Sequence, residues 1–141
     1  RSTRVADRDG EDGPTPEPAP SVGSGFIWPT TTKHLSQYFK WGHTGIDIDN
    51  RSRPPIYAAS EGTVEFTGWL GGDGNLIIVN HNHGYRTVYA HLSEMSVVTG
   101  QQIKEGTIIA KSGESVSGNL LHFEVWKEKD KQNPREWLAR R

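Results

Sequence analysis

Asn75-Leu76-Ile77-Ile78-Val79-Asn80-His81 and Tyr85-Arg86-Thr87-Val88-Tyr89-Ala90-His91-Leu92 stand on either side of Asn82-His83-Gly84. The first run is a nearly continuous apolar strand, the second reads as a strand, and the three residues between them make a tight hairpin connection. Gly62 to Trp69 alternates and ends at the turn cluster Gly71-Gly72-Asp73-Gly74. Gln101 to Ala110 and Leu121 to Trp126 complete the strand set. Within Val98 to Gly106, two glycines flank a short exposed strand, which suits the corner of a half-barrel or sandwich. No segment keeps a helical period over ten residues. A short helical turn is expected near Pro134 to Leu138, with Asn133 as its cap and Pro134 at its first position. The predicted fold class is all-β and antiparallel, a compact sandwich or half-barrel with glycine-rich turns.

The chain has 141 residues and a formal net charge of −1, with 16 Lys and Arg. That length suits one domain with its own core and is short for two. The basic residues are scattered, so the stripe needed to grip a phosphate backbone is missing, and no nucleic-acid partner is expected. No apolar run approaches membrane-spanning length. Cysteine is absent, which removes thiolate catalysis, Cys-type zinc sites and disulfides together. Residues 1–24 are rich in Pro, Gly, Asp, Glu and Ser, and Pro14 to Pro20 favours extended polyproline geometry. They read as a disordered linker before a domain at 25–141. The first residue is Arg1, and the sequence is read as part of a longer exported or anchored protein, with an extracytoplasmic location.

Three stretches carry chemistry: His43-Thr44-Gly45-Ile46-Asp47, Tyr89-Ala90-His91-Leu92 and Leu121-His122-Phe123-Glu124. They supply two imidazoles and a carboxylate suited to one Zn²⁺ with an open coordination position, plus a third imidazole. Gly45 and the β-branched Ile46 and Ile48 oppose a helix, so the first stretch is a loop entering a strand. Ile46 and Ile48 then face the core, with Asp47 and Asp49 opposite. On this segment alone, a surface His–Asp hydrogen bond reads equally well. In Leu121 to Trp126, alternation buries Leu121, Phe123 and Val125 and sets His122 and Glu124 on the other face. A solitary strand histidine is more often a packing residue; its combination with His43 and Asp47 turns the reading towards a ligand. His91 is placed at the end of its strand on the face of Tyr89. Near a zinc-bound water it could take a proton or stabilise a developing oxyanion. His81 shares a face with Ile77 and Val79 and reads as structural.

These segments, with Ile56-Tyr57-Ala58-Ala59, Gly62-Thr63-Val64, Ser36-Gln37-Tyr38-Phe39, Gly71 to Asn75 and Asn133-Pro134, fall in the order found in the M23 zinc metallopeptidases. The chain resembles the LytM or lysostaphin-like members of that family from Phe26 to Leu138. The resemblance implies an all-β domain of the duplicated hybrid motif type with a central groove. It also implies cleavage of the peptide stems or cross-bridges of bacterial peptidoglycan. By the same resemblance His43, Asp47 and His122 are zinc ligands and His91 is catalytic, while Asp73, His34 and Asn119 line the groove.

The chain departs from the family pattern in four places. Asn119-Leu120-Leu121-His122-Phe123 carries Leu120 where the family's first, catalytic His of its Pro-His-Leu-His-Phe motif stands. The loop Gly113 to Asn119 is short, Asp73 replaces a common groove Tyr, and the segment between Phe39 and His43 is abbreviated. A short loop ending in Leu-His-Phe is similar to the divergent, EnvC-like members, many of which lack hydrolase activity and activate a separate cell-wall amidase. Those relatives have typically lost zinc ligands, whereas all three positions are kept here. The sequence therefore supports a zinc endopeptidase first and a binding or activating module second. Lipoyl-type carriers and phosphocarrier domains are set aside: the hairpin tip holds no lysine, and a phosphocarrier lacks the His43–Asp47 arrangement.

Overall fold

The hairpin forms as the sequence predicts. Strand β5 covers Asn75–Asn82 and β6 covers Tyr85–Met95, paired antiparallel from Asn75↔Leu92 to Asn82↔Tyr85. The turn between them needs three successive left-handed residues, Asn82, His83 and Gly84, at φ 73°, 56° and 84°. Asn and His enter that region more readily than most residues, and glycine enters it freely. This computed structural model describes residues 25–31, 35–37, 39, 44–49, 55–113 and 120–139. The proposed linker 1–24, the loop 114–119, and His34, His43 and Asn119 lie outside the described residues.

Ten strands among the described residues make one sheet. Besides β5 and β6 these are β1 (Leu35–Gln37), β2 (Ile46–Asp49), β3 (Pro55–Tyr57), β4 (Gly62–Trp69), β7 (Gln102–Ile103), β8 (Ile108–Ser112), β9 (Leu120–Lys127) and β10 (Asp130–Gln132). The path runs β1-β2-β9-β6-β5-β4-β7, with β10 beside β9. The end of β6 leaves its first neighbours and pairs with β8, which in turn pairs with β3. All these strand pairs are antiparallel, as expected; the stretch Gln101 to Ala110 resolves into β7 and β8 around a turn at Gly106.

Alternation sorts the side chains. Ile46, Ile48, Leu121, Phe123, Val125, Ile77, Val79 and Tyr89 are all buried on one face and pack into the main core with Phe26, Ile56 and Ile109. On the other face Leu76, Val88 and Ala90 form a smaller cluster with Phe66, Ile78 and Trp126 against it. The first and last described segments meet: the Phe26 N–H donates to the Trp137 carbonyl at 2.8 Å, and the Ala139 N–H donates to the Phe26 carbonyl at 2.7 Å. The short helical turn is Pro134–Glu136, capped by the Asn133 side chain, which accepts from the Arg135 N–H.

His81 is structural, as its position beside Ile77 and Val79 suggests. Its Nδ1 lies 2.7 Å from the Glu61 carbonyl, which can only accept, so Nδ1 carries the proton. Its Nε2 is 2.8 Å from the Thr87 hydroxyl, itself 2.8 Å from the Tyr89 hydroxyl, whose oxygen takes the Ala59 N–H at 3.0 Å. Burial lowers the His81 pKa to about 4, outweighing the Glu61 hydrogen bond, and raises that of Tyr89 to about 12. A depressed histidine pKa means the unfolded chain binds more protons between pH 6.5 and 4. Stability is then in full above pH 6.5 and falls as pH drops towards 4, by up to about 3 kcal/mol. Urea unfolding across pH 7 to 4.5 should show this slope, and His81→Gln should flatten it. Equal slopes would assign the acid sensitivity to other groups.

Candidate metal centre

Asp47 and His122 face each other across the β2–β9 pair, in register as Asp47↔His122. Their neighbours Ile46↔Phe123 and Ile48↔Leu121 are core residues, so the strand period turns the carboxylate and the imidazole to the opposite face together. The His122 Nδ1 lies 2.7 Å from Asp47 Oδ1 and its Nε2 lies 2.8 Å from Glu124 Oε2. All three side chains are buried. Burial pushes the His122 pKa down, but hydrogen bonds from the ring to Asp47 and Glu124, together with their charges, outweigh it and raise it to about 9. Glu124 moves the other way. Burial would raise it, yet the hydrogen bonds from His122 and Trp126 and the charges of His122 and Lys131 hold it below the usual carboxylate range.

Gly45 makes this closeness possible. A Cβ there would sit against the Phe123 carbonyl, 2.8 Å from Glu124 Cγ and 3.2 Å from His122 Cε1. On β6 the cross-strand partner of His122 is Ala90, which is fully buried.

His91 corrects the sequence reading in a specific way. It does not close its strand; β6 continues to Met95. Alternation would send His91 to the core with Tyr89, but Asn75 pairs with Leu92 while Leu76 pairs with Ala90, so His91 is the extra residue of a β-bulge. Its φ of 66° is left-handed. The bulge re-aims the ring, which lies 6.1 Å from the His122 ring, edge to face. Gly113 backs the bulge, its N–H donating to the His91 carbonyl at 2.7 Å. The His91 pKa is lowered, first by burial and then by the His122 charge, with Asp47 and Asp73 pulling back. A neutral ring at pH 7 can accept a proton.

Asp73 ends the exposed turn Gly71–Asp73, and its charge reaches His91. The structure thus brings Asp47, His122 and His91 together, with Asp73 near enough to be felt. The partners that the sequence reading left without a role are Glu124, Trp126, Lys131 and Thr44. Glu124 and Trp126 follow His122 at intervals of two, and Lys131 pairs with Trp126 on β10. Strand periodicity alone could have gathered Glu124 and Trp126 with His122, whereas Lys131 and Thr44 reach Glu124 from other segments.

Residues 41–134 match the sequence pattern of peptidase family M23. The chain belongs to that family. Within this M23 domain, relatives include a lipoprotein NlpD/LppB homolog of Pseudomonas aeruginosa, 37% identical over 92% of this chain and 45% of its own length. The murein hydrolase activator NlpD of Salmonella dublin is 37% identical over 84% of this chain and 32% of its length. The chain therefore spans less than half the length of these relatives. Among solved structures, a zinc-containing peptidase from Vibrio cholerae superposes with TM-score 0.73 at 26% identity, covering 77% of this chain and 39% of that one. Lysostaphin from Staphylococcus simulans does so with TM-score 0.70 at 27% identity, covering 82% and 54%. The M23 domain thus shares its fold with the lysostaphin-like peptidases.

Among the described residues no three His, Asp or Glu side chains form a complete metal-holding group. The two described donors of the M23 set nevertheless fit zinc. Asp47 Oδ1 and His122 Nδ1 are 2.7 Å apart. Ligands at about 2.0–2.1 Å in tetrahedral geometry lie roughly 3.3 Å from each other, so the pair need part only slightly. Glu124 on Nε2 is the kind of outer carboxylate that metal-bound histidines carry.

Proposed function

We propose that this M23 domain works at the bacterial cell wall outside the cytoplasm, holds Zn²⁺ through His43, Asp47 and His122, and serves chiefly to switch on a separate murein hydrolase such as an amidase. The observation that carries the regulatory half is Leu120. The β2–β9 register places it opposite Asp49, two residues before His122. The M23 pattern calls for an imidazole there, and a hydrocarbon can neither donate nor accept a proton. The name of the 37% identical Salmonella relative, a murein hydrolase activator, supports the same reading.

A second reading, a zinc-dependent endopeptidase acting on peptidoglycan peptides, is favoured by His91. A non-glycine residue held at φ 66° costs free energy, on the order of 1 kcal/mol. Such strain persists where a side chain must be aimed, and this ring lies 6.1 Å from that of His122, within reach of the Asp47 charge. A zinc ion bound there would polarise a peptide carbonyl and lower the pKa of water. The residues of the chain would do the rest: Asp47 and His122 orient, and the half-buried His91 takes a proton at a ring nitrogen. Asp73 favours the charged ring once the proton has arrived.

One preparation separates the two readings. Purified sacculi are incubated with the protein alone and with a purified amidase, and zinc content and soluble muropeptides are measured. Stimulated amidase release without cleavage by the protein alone supports the activator. Release of cut peptides by the protein alone would overturn it. Leu120→His is expected to raise any intrinsic cleavage by roughly 10²-fold, the low end of what one proton-transfer group contributes, and His91→Ala should remove it again.

A further inference from the structure

We propose that Glu124, clamped by Trp126, Lys131 and Thr44, is a positioning residue that holds the His122 ring with Nδ1 turned to Asp47. This rests on the zinc reading above and names what makes that ligand set selective for one ring orientation.

An imidazole ligand has two nitrogens on a ring that can rotate. It offers a fixed lone pair only when its other N–H has a fixed acceptor. Glu124 Oε2 is that acceptor, 2.8 Å from His122 Nε2. A free carboxylate so close could itself swing towards a cation. This one is spoken for. Its Oε1 accepts from the Trp126 indole at 2.8 Å and faces the Lys131 ammonium at 3.6 Å. Its Oε2 also accepts from the Thr44 hydroxyl at 3.2 Å. Lys131 is located in turn, lying 4.9 Å over the Trp126 ring and donating to the Thr44 hydroxyl at 3.1 Å. These donors come from three places: Thr44 from the loop entering β2, Trp126 from β9 itself and Lys131 from β10. A carboxylate saturated from three directions cannot become a ligand, and it can only orient one.

The competing account is a structural clip that fastens β10 and the start of β2 to β9. The two accounts differ in what zinc sees. In the full 141-residue chain, Zn²⁺ affinity is measured by chelator competition, and the visible spectrum is recorded with Co²⁺ in place of Zn²⁺. Glu124→Ala is expected to weaken Zn²⁺ binding 10- to 100-fold and to alter the Co²⁺ bands. Glu124→Gln, which keeps an acceptor oxygen, should recover part of that loss. Trp126→Phe frees one carboxylate oxygen and should cost a few-fold in affinity with its fold intact. If Glu124→Ala does not fold, the Trp126→Phe measurement carries the test. Wild-type affinity and an unchanged Co²⁺ spectrum in these variants would overturn the positioning role while leaving the zinc reading in place. A wild-type protein that takes up no Zn²⁺ would overturn both.

Discussion

Asp47→Ala is expected to abolish the zinc retention proposed above, leaving no stoichiometric metal after dialysis. The carboxylate supplies the only formal negative charge among His43, Asp47 and His122. It also sits in register with His122 and within 2.7 Å of its Nδ1, so no neighbouring oxygen can be moved into its place without opening the β2–β9 pair. Asp49, the next carboxylate on the same face of β2, lies opposite Leu120 rather than His122. Loss of the buried His122–Asp47 interaction should also lower stability by about 1–3 kcal/mol, because a buried ring nitrogen loses its acceptor. Metal analysis and urea unfolding on the same sample read the two effects separately. Stoichiometric zinc in the variant would show that Asp47 is not a ligand.

Gly45→Ala should be among the most damaging single-atom-group changes in the domain. The added methyl would meet the Phe123 carbonyl, which is backbone of a central strand and cannot rotate away, and would press on Glu124 Cγ at 2.8 Å and His122 Cε1 at 3.2 Å. Relief requires β2 to move off β9, which breaks the pairing that joins the main-core residues Ile46 and Phe123. Overpacking of this kind costs about 1–3 kcal/mol and sometimes more. Denaturation midpoints should fall accordingly, and zinc affinity should fall with them even in the fraction that stays folded. Gly71→Ala is the control for backbone effects, since nothing lies within 4 Å of a Cβ there although its φ is positive. A small loss at Gly71 and a large one at Gly45 would locate the cost in packing against the site. Equal losses would not.

Much of the architecture is legible in the chain because a strand has a period of two and a hydrophobic residue has a side to choose. Leu121, Phe123 and Val125 alternate with His122 and Glu124, and Ile46 and Ile48 alternate with Asp47, so both faces can be assigned before any pairing is known. The turn residues Asn82-His83-Gly84 and the cap Asn133-Pro134 act through local backbone preferences, which also need no partner. The pairing of an aspartate and a histidine on one face, and the family resemblance, followed from the same readable order.

His91 was beyond that logic. Alternation predicts its face from its neighbours, whereas its true direction follows from one unpaired residue in the β5–β6 ladder and a left-handed φ, which depend on where β6 leaves β5 to meet β8. The grip on Glu124 is likewise tertiary, joining Thr44, Trp126 and Lys131 across three segments. What the sequence by itself determined is the strand set, the two faces and which polar side chains share the face opposite the core, because each depends on local period and residue chemistry. Only the tertiary structure decided that Asp47 meets His122, which way His91 points and how the Glu124 carboxylate is held, because those depend on register and bulges between strands distant in the chain.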